Sequence, residues 1–253
     1  MNRKPLLSVI MASYNSESYI HDAICSIVHQ EFTEWELIVC DGGSTDNTIA
    51  IVNSFPNGRI RLISSLDKGL YHARNKGILS AKGVYIAFLN SDDSYCYQAF
   101  TKIADAANTC NSDVIVFNMD QVLSNGEVLP YPYFNKKHVE RVSRNWYLPD
   151  QSTIIRKDCI SQVGLYSMEY KIVGDWEFWQ RCIKAELKFR YYNLTIAQFH
   201  FREDSLTFDT NLINVRFREK IRLYWQYNGF VFNREVFVLI KRYIILHIKG
   251  ILR

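Results

Sequence analysis

No stretch of this 253-residue chain reaches the roughly 18 uninterrupted apolar residues of a membrane-spanning helix. The apolar run near the start, about seven residues long, is too short for a signal peptide. Glycine and proline are sparse, at 11 and 5 residues, which excludes collagen-like and low-complexity chains. The six cysteines, at positions 25, 40, 96, 110, 159 and 182, contain no C-x-x-C pair and no metal-ligand spacing. They read as reduced, packed thiols of a cytosolic protein. Neither G-x-x-x-x-G-K-[ST] nor G-x-G-x-x-G occurs, which argues against a P-loop and against a dinucleotide-binding dehydrogenase. Most of the chain also lacks a surplus of charge. Residues 214–253 carry nine Lys and Arg against two acids, while the rest carries 21 against 24. A nearly neutral body with a basic tail suits contact with an anionic surface at one end, and no nucleic-acid partner is expected.

What is present is apolar material, 48% of residues, enough for one large core. Residues 6–12 form a continuous apolar run with β-branched members, hence a buried strand. Apolar residues then recur at helical spacing over 16–30. Strands are expected at 35–40, 60–64 and 84–89, with helices at 47–54 and 69–81 between them. Strict alternation with short connections predicts an α/β fold with a parallel sheet and helices on both faces. Beyond residue 95 the pattern loosens. A helix at 97–109, a strand at 113–119, a hairpin turn at Asn125-Gly126 and a loop over 131–149 are expected. A strand at 152–156, a helix at 175–185, a strand within 187–201 and two closing helices, 212–228 and 233–250, complete the reading. There are no internal repeats.

Ligands of open parallel sheets lie beyond the carboxyl ends of the strands. Three of the first four strands end there in polar residues: Ser13-Tyr14-Asn15, Asp41-Gly42-Gly43-Ser44 and Asn90-Ser91-Asp92-Asp93. Asp41 suits either a contact to a nucleotide base or ribose, or a cap on the next helix. Adjacent Asp92 and Asp93 repel unless a cation lies near, so a hard divalent ion bridging to phosphates fits, as does a solvated turn. Lys68-Gly69 with Arg74, Asn75 and Lys76 puts positive charge and amide donors at a helix start, which suits an anion or an ordinary basic helix face. Asp175 opens a helix beside Trp176, Glu177 and Trp179. It suits a general base with aromatics for a sugar ring, or an N-cap with core aromatics. His200 ends a strand and is a candidate metal or diphosphate contact.

The segments SVIMASYN, ELIVCDGGSTDNT, DKGLYHARNKGI and GVYIAFLNSDD, in this order, resemble glycosyltransferase family 2, inverting enzymes with the GT-A fold. The match spans about residues 6–95, with a weaker echo to about 205. The resemblance implies a Rossmann-like, mostly parallel central sheet with a C-terminal helical extension. Residues 1–95 would form the nucleotide-sugar half, 96–211 the acceptor half of the same domain, and 212–253 basic amphipathic helices. Ala12, Tyr14 and Asn15 would surround the nucleotide, with Asp41 on the base. Lys68, Gly69, Arg74, Asn75 and Ser91 would line the nucleotide and diphosphate. Asp92 would hold Mn2+ or Mg2+, with His200 as a further ligand. Asn90 stands where the family's first Asp is common. Asp175 would be the general base, with Gly174 in place of a common Glu. Trp176 and Glu177 would meet the acceptor. The implied activity transfers a hexosyl or N-acetylhexosaminyl group, with metal, from a UDP-sugar to a glycan or lipid-linked glycan in surface-polysaccharide synthesis. The basic C-terminal helices would rest on the inner face of the cytoplasmic membrane, or pack on the domain, or form a homodimer. A catalytically decayed binding protein and a nucleotidyltransferase are the rival classes.

Overall fold

The structure is a computed structural model, and it describes residues 4–131, 148–202, 210–228 and 241. Its first half follows the alternation of the sequence: β1 (Leu7–Ser13), α1 (Ile20–Val28), β2 (Trp35–Asp41), α2 (Thr48–Asn53), β3 (Ile60–Ser64), α3 (Leu70–Ser80) and β4 (Tyr85–Asn90). β5 (Ser94–Tyr95), α4 (Ala99–Thr109), β6 (Val114–Val122) and β7 (Val128–Pro130) come next. β8 (Thr153–Arg156), α5 (Ile160–Val163), α6 (Gly174–Lys184), β9 (Phe189–His200) and α7 (Ile213–Asn228) complete the described elements. One nine-stranded sheet runs in the order β3-β2-β1-β4-β8-β6-β9-β5, with β7 on β6.

β1 is parallel to both neighbours, pairing Val9 with Leu37 of β2 and with Ala87 of β4. Its alternating side chains feed two cores, as period two demands. Val9 and Met11 pack with Ile20, Ile24 and Ile27 of α1 on one face. Ile10 packs with Tyr71 and Ile78 of α3 and Phe178 of α6 on the other. Gly77 explains how α3 comes so close: a Cβ there would lie 2.4 Å from Ile10 Cγ2 and 3.2 Å from Cys40 Sγ. The helix accepts the roughly 1 kcal/mol that an interior glycine costs, and gains close packing.

The second half departs from a mostly parallel sheet. β8 is antiparallel to both β4 and β6, and β7 to β6, while β6 and β9 run parallel across a bulge. The reason is connectivity: β7 follows β6 through the tight turn around Gly126 (φ 82°), not through a helical crossover. The loop expected over 131–149 and the helix over 233–250 lie outside the described residues, apart from the two ends of the former and Lys241. All six cysteines are free thiols. Among the described residues, no helix is long and apolar enough to cross a membrane.

Candidate active site

Parallel register brings the carboxyl ends of β1, β2 and β4 together, pairing Ser13 with Asp41 and Ala12 with Asn90. Asn15, in the left-handed region at φ 46°, stitches the first loop to the second. Its backbone N–H donates to Ser44 Oγ at 2.9 Å, and its side-chain oxygen accepts from Thr45 N at 2.9 Å. Asparagine tolerates this conformation better than most residues. Ser16 and Ser91 join the first loop to the fourth through their hydroxyls, 2.9 Å apart. A cleft of about 910 Å³ opens between these loops. Ala12, Tyr14, Asn15, Gly69, Ser91 and Asp92 stand in its wall, and Tyr14 is 63% exposed.

Asp41 does not share that wall. It is buried and accepts from Gly43 N (2.9 Å), Ser44 N (3.0 Å), Ser44 Oγ and Ser64 Oγ (3.0 Å). Burial opposes its charge, but the Ser44, Gly43 and Ser64 donors outweigh burial and hold its carboxyl below the ordinary value. Its carboxylate is thus held by the turn at the carboxyl end of β2. Beside Asp92, the cleft wall holds a second carboxylate, Asp67, which the sequence motifs do not single out. Asp67 Oδ1 accepts from Gly69 N at 2.8 Å, and Oδ2 lies 2.8 Å from where a Cβ on Gly42 would sit. The available signal was the Asp-Lys-Gly turn before α3, an Asx-type turn that aims its side chain at the rim. Lys68 is exposed and stands outside the cleft wall; its backbone N–H donates to His72 Nδ1.

The two carboxylates after β4 point to different places, so they do not flank one cation. Asp92 lines the cleft. Asp93 is 1% exposed and accepts from Gln151 Nε2 (2.7 Å), Asn90 Nδ2 (2.9 Å) and His200 N (3.0 Å). Burial and then the Asp92 charge raise its carboxyl to about 7, against the pull of these donors. Asn90 also accepts from Arg74 Nη2 at 3.1 Å. Its amide therefore serves the scaffold below the turn, not a metal.

Arg74 is drawn inward too and is buried beneath the β4 turn. It forms a buried ion pair with Asp150, and its guanidinium lies 5.2 Å over the Phe88 ring. Asp150 accepts in addition from Trp179 Nε1 at 2.7 Å. Asn75 likewise faces away from the cleft: its amide brackets the backbone of Tyr166, donating to O and accepting from N, both at 2.9 Å. His200 Nε2 lies 3.0 Å from Ser94 Oγ, and burial, then Arg202, lower its pKa, favouring the neutral ring. Among the described residues no three His, Cys, Asp or Glu group as a metal cage. Asp92 in the cleft wall fits a magnesium-type ion, which rests on one or two carboxylates plus phosphate oxygens.

The first turn of α3 links the cleft to Asp175. Gly69, Leu70 and Ala73 face the cleft, while Tyr71 turns to the other side. The Tyr71 hydroxyl donates to Ile172 O at 2.9 Å and lies 3.4 Å from Asp175 Oδ1. Gly174 has a packing reason: a Cβ there would sit 2.6 Å from the Tyr71 ring. Asp175 is half-buried at the start of α6, where its Oδ1 also accepts from Trp176 N at 2.8 Å. Trp176 and Glu177 are not open to an acceptor. Trp176 is buried against Tyr170, Val173 and Leu223. Glu177 is buried, pairs with Arg181 at 2.8 Å and accepts from Tyr227 OH at 3.2 Å. α7 packs over this face: Leu223 lies against Trp176 and Tyr227 reaches Glu177.

The family model for glycosyl transferase family 2 matches residues 8–163. A PGL/p-HBAD biosynthesis glycosyltransferase of Mycobacterium tuberculosis is 30% identical over 203 residues, covering 78% of this chain and 77% of that protein. The UDP-Glc:alpha-D-GlcNAc-diphosphoundecaprenol beta-1,3-glucosyltransferase WfgD of Escherichia coli is 46% identical over 89 residues, 35% of each chain. The crystal structure of S. aureus TarS 1-349 in complex with UDP-GlcNAc superposes with a TM-score of 0.68 at 22% identity, over 96% of this chain and 72% of that one. At that identity the likeness speaks for the fold.

Proposed function

The chain belongs to glycosyl transferase family 2 and has the GT-A fold, and from that premise we propose an inverting transfer from a UDP-sugar to a hydroxyl of a glycan or lipid-linked glycan in surface-polysaccharide assembly. One observation carries this reading. The cleft at the β1, β2 and β4 ends and the half-buried carboxylate of Asp175 meet one short stretch of α3 from its two sides: Gly69, Leu70 and Ala73 line the cleft, and the Tyr71 hydroxyl between them lies 3.4 Å from Asp175 Oδ1. The uridine donor is supported by the UDP-Glc of WfgD and the UDP-GlcNAc bound to TarS, and a lipid-linked acceptor by the diphosphoundecaprenol acceptor of WfgD.

In this mechanism the exposed ring of Tyr14 gives a nucleobase a face to stack on, and Asp67 offers an acceptor for a base or ribose donor. Asp92 and the donor's phosphates would hold the divalent ion, with neutral His200 beside the same turn. Such an ion, when bound, neutralises charge on the leaving diphosphate. Asp175 accepts the proton of the acceptor hydroxyl as its oxygen bonds to the anomeric carbon and the bond to the nucleoside diphosphate breaks. Attack from the side opposite the leaving group inverts the anomeric configuration. The hexosyl or N-acetylhexosaminyl identity of the sugar belongs to this proposal. So does a peripheral position on an anionic membrane through the basic residues beyond 212. The departures at Asn90 and Gly174, which motivate a decayed binding protein, both have local structural causes.

A thermal-shift panel of UDP, GDP, dTDP and CDP, each with and without manganese, tests donor and metal together. UDP with manganese at about 100 times its Kd is expected to stabilise the fold by ~2.7 kcal/mol, a rise of roughly 5–10 °C. Equal shifts with and without manganese would remove the metal from the proposal. Equal shifts for all four nucleotides would remove the uridine preference. A second prediction follows from Asp67. Gly42→Ala is expected to displace the Asp67 carboxylate and weaken UDP binding about tenfold, the effect of a local overpacking near the low end of 1–3 kcal/mol. Calorimetry reads the affinity. An unchanged Kd would take Asp67 out of the nucleotide site.

A further inference from the structure

Residues 165–173 lead into α6 between two elements and carry Asp175 at their end. One carboxylate, Glu219 of α7, collects three consecutive amides of this segment. Lys171 N donates to its Oε1 at 2.7 Å, and Ile172 N and Val173 N donate to its Oε2 at 2.9 and 3.2 Å. The carbonyl of Ile172 is held from the other side by the Tyr71 hydroxyl, the same hydroxyl that lies 3.4 Å from Asp175. Val173 O then accepts from Glu177 N at 3.0 Å, the first bond of α6. The peptide just before Asp175 is therefore clamped between α7 and α3.

The clamp has chemical logic. Only an ionised carboxylate offers two oxygens that accept from three N–H groups and present no competing donor. Such bonds are charge-assisted, and the negative charge sits at the positive end of α6. One face of α7, at i, i+4, i+7 and i+8 spacing, makes the contact. Glu219 caps the segment and Leu223 is buried with Tyr170, Val173 and Trp176. Gln226 accepts from Tyr170 OH at 2.8 Å, and Tyr227 reaches Glu177. α7 lies beyond the residues matched by the family model.

We propose that Glu219 is a positioning residue for the transfer reaction, holding Asp175 in place through the amides of residues 171–173. This rests on the reading of Asp175 as the base. Glu219→Gln places an NH2 donor against amide donors and loosens the segment. An ångström of misplacement at a reacting group costs on the order of 10²-fold in rate. We therefore expect kcat for transfer from the UDP-sugar to fall about 30-fold or more, with the donor KM within about twofold of wild type. In an Asp175→Asn background the same substitution is expected to cost less than about twofold, because its route runs through Asp175. Arg222→Ala cuts a second, exposed tie of α7, to Glu169. It should leave kcat within about twofold.

Hydrogen exchange on the unmodified chain needs no variant to fold. The amides of 171–173 should exchange far more slowly than those of an open loop. Fast exchange there overturns the clamp. A full additional loss in the Asp175→Asn background, or a raised KM with unchanged kcat, overturns the positioning role. Slow amides together with wild-type turnover of Asp175→Asn would overturn the base assignment and leave the clamp itself standing.

Discussion

Asp175→Asn is expected to lower kcat at saturating donor and acceptor by about 10³-fold, within the range that removal of a general base produces. Asparagine keeps the size of the side chain and an oxygen for Trp176 N and the Tyr71 hydroxyl. The substitution thus leaves α6 and its surroundings intact and removes only the capacity to take a proton. The cleft proposed for the donor lies on the other side of α3, so the UDP-dependent thermal shift should be unchanged. UDP release and product formation, measured with the same donor and acceptor for both proteins, give the comparison. Near-wild-type turnover would assign proton removal to another group. A lost thermal shift would mean that Asp175 supports the cleft itself.

The second large effect concerns stability. Arg74 and Asp150 form an ion pair with both side chains almost fully buried, at 5% and 2% exposure. Removing one partner of such a pair leaves a charge stranded away from water, at a cost of about 3–5 kcal/mol. Arg74→Met is therefore expected to lower the melting temperature by roughly 10 °C or more for a domain of this size. Arg74→Lys should recover little, since one ammonium cannot reach both Asp150 and Asn90 as the planar fork does. The double variant Arg74→Met with Asp150→Leu should regain most of the loss, because no unpaired charge remains. Denaturant melts of the wild type, the single variants Arg74→Met and Asp150→Leu, and the double variant measure the cycle. A single variant within about 1 kcal/mol of wild type would show that the pair is not the keystone beneath the β4 turn.

Much of this was legible in the order of residues. The elements of the first 90 positions follow from local signals: a β-branched apolar run makes a strand, helical spacing makes a helix, and a polar turn ends each strand. The place of the site follows too, because parallel strands must deliver their carboxyl ends to one rim. The pairing of Ser13 with Asp41 and of Ala12 with Asn90 is the register that this requires. Tyr14, Asn15 and Asp92, which follow those strand ends, accordingly line the cleft.

Which of several like side chains faces the ligand was a matter for the tertiary structure. Asp41 and Asp67 are both acids in glycine-bearing turns, yet Asp41 is consumed by five donor contacts, counting Ser13 Oγ at 3.4 Å, and Asp67 is left at the wall. Asp92 and Asp93 are adjacent, yet Gln151 and the His200 backbone, 58 and 107 positions away, draw Asp93 inward. Arg74 pairs inward because Asp150, 76 positions on, lies against it. Trp176 and Glu177 are covered because α7 returns over α6, and the same return supplies Glu219. Local periodicity fixes which backbone segments form and where their ends meet. The partner of a buried polar group is chosen by whichever distant donor the packing brings within about 3 Å, and no local pattern encodes that choice.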